Sequence, residues 1–204
     1  MKIHHKILFV PLLGMLLFVF FYLIAAFSYP GGSYVDPTHS GFSFRYNYLC
    51  DLLDNYAING KQNTARIYAR ISLGILCSSI LILWLYLPRL FDIKRSVAVL
   101  TSAFGVLSMI TTGFMVFGGH DVVVRVAGAF GAIALLLTFK QLYDAHYRKL
   151  FFLGIFSLIL FLANYFIYET GLMIENLPLL QKFTFISCMA WFAILNVMLI
   201  RRYS

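Results

Sequence analysis

Six long apolar runs dominate this chain, at about residues 7–27, 69–90, 97–117, 122–142, 150–168 and 179–200. A bilayer core about 30 Å thick needs about 20 apolar residues at about 1.5 Å rise each. Each run meets that length. In lipid the backbone has no water to bond with, which leaves helices as the way for such continuous runs to cross. The sequence therefore predicts an all-α fold: a six-helix transmembrane bundle, read as a single domain over 1–204. Composition excludes a soluble domain, because 61% of residues are hydrophobic and 12% charged, against about 45–50% and about 25% in soluble proteins.

The loops between runs alternate in charge. Lys2, Lys6, Arg89, Lys94, Arg95, Lys140, Arg148, Lys149, Arg201 and Arg202 share one face, opposed only by Asp92 and Asp144. Ten basic residues against two acidic ones leave that face at +8. The other face balances six basic residues (Arg45, Lys61, Arg66, Arg70, Arg125, Lys182) against six acidic ones (Asp36, Asp51, Asp54, Asp121, Glu169, Glu175). The positive-inside rule puts the first face, with both termini, in the cytoplasm. Topology and anionic membrane lipid then account for the basic charge, and no nucleic-acid partner is expected. The first run exceeds the roughly 7–15 apolar residues of a cleaved signal segment, so it reads as a retained span.

Metal and disulfide chemistry find no footing. Cys77 and Cys188 lie inside spans, Cys50 is alone in the outer loop, and no CxxC or HExxH occurs. No metal and no cofactor is expected. Glycines recur in Leu73-Gly74-Ile75, Phe104-Gly105-Val106, Phe130-Gly131-Ala132 and Leu153-Gly154-Ile155. Small residues let membrane helices approach closely, and that reading outweighs an internal transporter repeat.

The first outer loop, 28–68, is long enough to be structured or functional in its own right. Its first part, Tyr29-Pro-Gly-Gly-Ser-Tyr-Val-Asp-Pro, is punctuated for turns. From Tyr46 to Ile58 the spacing of Leu49, Leu52, Leu53 and Tyr56 predicts a short amphipathic helix with Asp51 and Asp54 on its other face. Asn63 or Thr64 is placed to cap the second span.

Polar residues able to do chemistry gather at this outer level. Arg66 and Arg70 are one turn apart, and His120 and Asp121 sit in the turn before the fourth span, with Arg125 one turn on. Glu169 ends the fifth span and Lys182 opens the sixth. His120 beside Asp51 and Asp54 reads as an acid/base candidate, and Arg66, Arg70, Arg125 and Lys182 as anion contacts. The balanced charge argues equally for structural pairing with Asp51, Asp54, Asp121 and Glu169. Asn164 and Asn196 are expected to bond across helices.

The segments Tyr29-Pro-Gly-Gly, Asn47-Tyr-Leu-Cys-Asp-Leu-Leu-Asp and Asn59-Gly-x-x-Asn63, with His120 and Gln181-Lys182, resemble an uncharacterised bacterial six-pass membrane family, a domain of unknown function. A more distant similarity runs to the damage-regulated autophagy modulators and to membrane proteins that remodel GPI lipids. That family often has Ser-Asp-Leu-Gly where this chain has Cys50-Asp51-Leu52-Leu53, which weakens any hydroxyl nucleophile there. The resemblance implies a bacterial cytoplasmic membrane and lipid association. The expected function is binding or handling of a lipid or small amphiphile at an outer polar cavity. The alternatives are a lipid-modifying enzyme using His120 with Asp51 and Asp54, and a non-catalytic scaffold docking a protein partner, or a second copy, through the outer loop.

Overall fold

The computed structural model describes residues 5–117 and 120–203, apart from the side chains of His5, His120 and Asp121. Its main helices are α1 (Val10–Phe27), α2 (Arg66–Tyr86), α3 (Arg95–Gly113), α4 (His120–Asp144), α5 (Arg148–Thr170) and α6 (Leu177–Tyr203). Among the described residues there is no strand, only isolated bridges. Among the described residues, six helical stretches are long and apolar enough to cross a membrane, from Lys6–Phe27 to Ile174–Tyr203. This is a multi-pass membrane protein by helix length and apolarity. The outer surface of α5 bears this out: Phe152, Phe156, Ile159, Leu162 and Phe166 recur at helical spacing and all are exposed, a stripe suited to lipid rather than water.

The chain forms two compact units. One comprises 1–16, 73–155 and 189–204; the other comprises 17–72 and 156–188. In the first, polar groups stitch α3 to α4. Gln141 donates to Thr101 Oγ1 at 2.8 Å, and Ser108 donates to the Ala127 carbonyl at 2.9 Å. Gly105 lies flat against Trp84, where a Cβ would overlap the indole ring. Gly154 gives the same close approach to Phe139 and Trp191. These contacts fit the small-residue packing read from the sequence. Trp191 Nε1 donates to the Leu150 carbonyl at 2.9 Å.

α4 ends in a two-bond cap. Tyr147 N–H reaches the Leu142 carbonyl at 2.9 Å and His146 N–H the Tyr143 carbonyl at 3.1 Å, with His146 itself left-handed at φ 61°. This is the Schellman arrangement, with histidine where glycine is usual.

In the second unit, Ser72 donates to the Phe18 carbonyl at 2.9 Å, and the rings of Phe18 and Phe185 lie 5.1 Å apart. Asn164 donates to Thr184, the cross-helix bond its place in an apolar span predicts. The loop 28–65 belongs wholly to this unit and differs from expectation. In place of an amphipathic helix over Tyr46–Ile58 there is one 3-10 turn, Cys50–Leu53, and Tyr56 is 69% exposed. Side chains that bond the local backbone displace the helical ladder here.

Candidate functional site

The loop's polar side chains turn inward and tie it to the helices of its own unit. Gly31 and Gly32 open it with φ of +127° and +87°, and a Cβ on either would collide with backbone. Asn47 is the hub. Its Oδ1 accepts Ser43 N–H at 2.8 Å, and its Nδ2 donates to the Gly32 carbonyl at 2.7 Å and to Asp51 Oδ2 at 2.9 Å. The same carboxylate oxygen accepts Tyr48 N–H at 2.9 Å.

Lys182, near the start of α6, donates to the Asn47 carbonyl and, at 2.9 Å, to the Pro178 carbonyl. Its ammonium also faces the rings of Phe42 and Phe44 at 5.5 and 5.3 Å. Asp51 is 6% exposed and Lys182 3%. Opposite charges are thus buried together, with Asn47 bonded to both. A buried charge is tolerated when its hydrogen-bonding capacity is met.

Two further side chains hold the neighbouring residue Leu49. Gln181 Oε1 accepts its N–H at 2.9 Å, and Tyr22 donates to its carbonyl at 3.1 Å. Asn63 gathers the carbonyls of Asp51, Leu52 and Asp54 at 3.1, 3.3 and 2.9 Å. Its own Oδ1 accepts Ala65 N–H at 3.1 Å and so opens α2.

At the first turns of α2, Arg70 donates through Nε and Nη2 to the Leu53 carbonyl at 3.2 and 3.0 Å. Arg70 Nη2 also reaches Asn55 Oδ1 at 3.1 Å, and Arg66 Nη1 reaches that same oxygen at 3.2 Å. Two half-buried guanidinium groups therefore meet on one neutral amide oxygen, beside a helix N-terminus. Like charges are held together with no formal counter-charge in those bonds.

Burial shapes the ionisation of the loop. It pushes the Asp51 carboxyl above the usual aspartate value, opposed by the Asn47 and Tyr48 hydrogen bonds and by Lys182. Burial, reinforced by Asp51 and Asp54, pushes the Cys50 thiol up to about 12. Cys50 is therefore a thiol at neutral pH and a poor nucleophile. Among the described residues no group of three His, Cys, Asp or Glu is placed to hold a metal ion.

Compared with protein-family models, curated proteins and solved structures, the chain finds no match.

The residues singled out from sequence fall into five sets. Asp51 and Lys182 share the buried knot; Arg66 and Arg70 share Asn55. Asp54, next to Asn55, and Glu169, near the end of α5, are exposed in the same unit. Arg125 is exposed on α4 in the other unit. His120 and Asp121 start α4, and their side chains lie outside the described residues. The sequence reading passed over Asn47, Asn55, Gln181 and Tyr22 as organisers. The Asn47-x-x-x-Asp51 spacing carried a signal of a side-chain pair. Asn55 carried none.

Proposed function

We propose that the protein sits in a bacterial cytoplasmic membrane with both termini inside, and holds the anionic headgroup of a lipid or small amphiphile at its outer end. Arg66 and Arg70 make the contact, and the loop forms a fixed wall beside them. The observation that carries this reading is the convergence of both guanidinium groups on Asn55 Oδ1. Arginine offers five donors in a rigid fork, so Arg66 after its Asn55 bond and Arg70 after its Asn55 and Leu53 bonds each keep donors for a phosphate or carboxylate. The N-terminus of α2 adds its own preference for negative charge. The resemblance to lipid-associated membrane proteins points the same way.

The test is mass spectrometry of lipids retained by the full-length protein in native-membrane discs. Arg66→Gln keeps the Arg70–Leu53 bonds and removes one contact, so anionic species should fall to about a tenth, the loss of one charge-assisted bond. Asn55→Ala leaves both charges in place and should retain them. Unchanged lipid content in the Arg66→Gln protein sinks the reading.

A second reading, a scaffold docking through the loop, draws on the exposed Tyr34, Val35 and Phe44 of the tied cap. A stoichiometric partner lost on Tyr34→Ser and Phe44→Ser substitution, with lipid content unchanged, favours it.

A further inference from the structure

At the basic end of the other unit, a cavity of about 380 Å³ is lined by Leu90, Tyr147, Met198, Arg201 and Arg202. It lies within the range of small-ligand sites, about 300–1,000 Å³. Three elements build it. The left-handed His146 turns the chain so that Tyr147 stands at the lip, and the Tyr147 ring meets Phe91 edge-on with centroids 6.5 Å apart. The 3-10 turn Leu87–Leu90 after α2 supplies Leu90. The last turn of α6 supplies both arginines, with Met198 one turn before Arg202.

The cationic side is partly pre-set. Arg202 donates through Nη1 to the Leu90 carbonyl at 2.6 Å and through Nη2 to Asp92 Oδ1 at 3.1 Å. Asp92 is almost fully exposed, and an ion pair in water is weak enough to exchange for a better-matched anion. Arg201 adds a second guanidinium, and Arg89 and Arg148 lie beside lining residues in the chain. A helix C-terminus repels anions, so an anion here would be held by side chains. The positive-inside rule accounts for the number of charges on this face. It does not account for a concavity lined by Met198 and the Tyr147 ring together with two arginines.

We propose that this cavity binds the phosphate group of an anionic phospholipid, with Arg201 and Arg202 on the phosphate and Met198 and the Tyr147 ring against the first carbons of the chain. The phosphate chemistry is common to a lipid headgroup and to free phosphate; the apolar walls favour the lipid. This site is separate from the Arg66–Arg70 pair and does not depend on it.

The experiment measures binding of short-chain phosphatidylglycerol, short-chain phosphatidylcholine and inorganic phosphate to the detergent-solubilised full-length protein by native mass spectrometry. The Arg66→Gln background weakens the Arg66–Arg70 pair about tenfold, and binding is compared within that background. Phosphatidylglycerol should bind about tenfold tighter than phosphatidylcholine, whose choline cation the two arginines repel, and about tenfold tighter than phosphate, which lacks the chain carbons. Arg201→Gln should lower that affinity about tenfold while the melting temperature holds. Met198→Trp, which fills the cavity and leaves every charge in place, should also abolish binding, and Asp92→Asn should strengthen it. Equal affinity for the two lipids, or phosphatidylglycerol binding indifferent to both Arg201→Gln and Met198→Trp, overturns the proposal. Inorganic phosphate bound as tightly as phosphatidylglycerol overturns the lipid as its source.

Discussion

Asn47 donates its side-chain amide to Asp51 Oδ2 at 2.9 Å while its own backbone carbonyl accepts the ammonium of Lys182. One residue thereby couples a buried anion in the loop to a buried cation on a membrane helix. Asn47→Ala strands Ser43 N–H, the Gly32 carbonyl and one bond of Asp51 together. At about 1–3 kcal/mol for each buried group left unmade, a loss of about 3 kcal/mol or more is expected. Thermal unfolding in detergent should show it, with faster tryptic cleavage after Arg45 and Lys61. A variant with wild-type melting and wild-type cleavage would mean that the cap is fixed by something else.

The Asp51 carboxyl gives the cap a pH signature of definite sign. Burial raises its folded pKa above the ordinary value, so the folded state holds this proton more tightly than the unfolded state does. The group's contribution is then most favourable below the unfolded pKa and declines as pH rises from there through the raised folded value. The melting temperature of wild type relative to Asp51→Asn should fall across that window and level off above it. A difference that grows with pH would reverse the assignment.

Gly105 tests the close packing of α3 on the chain around Trp84. A methyl group there meets the indole ring, so Gly105→Ala should destabilise by about 1–3 kcal/mol. Trp84→Leu, which empties the same space, should make the second substitution far less harmful. Additive losses in this double-mutant cycle would show that the two sites do not touch in the membrane.

Asn196 is 0% exposed, and neither amide atom finds a partner among the described residues. An unpaired amide in an apolar span is unfavourable, and Asn196→Leu should stabilise the protein by about 1–3 kcal/mol. Melting in detergent checks it; a lower melting temperature would reveal a polar partner that this asparagine serves.

The spans were legible because hydrophobic length is a property of the local sequence. α1 ends at Phe27 as expected, and α4 runs to Asp144, two residues past its apolar run. The loop was less so. Leu49, Leu52, Leu53 and Tyr56 keep helical spacing, yet Leu52 and Leu53 are buried, Leu49 is half-buried and Tyr56 is exposed. Asn63, ten residues beyond Leu53, takes the carbonyls that a helix would use, and no local pattern records that. Lys182 read as an interfacial charge. Its burial depends on Asn47, 135 positions away. Asn164 and Asn196 looked alike in sequence, but only the first meets a cross-helix acceptor.

Beside the loop's own side-chain bonds, four helix side chains fasten the cap through its main chain: Lys182, Arg70 and Tyr22 seize carbonyls of Asn47, Leu53 and Leu49, and Gln181 takes an amide N–H. A fastening that reads backbone is indifferent to what the exposed side chains are. Exposed positions such as Val35 and Lys61, whose side chains make none of these bonds, can therefore drift in sequence while the loop keeps its seat.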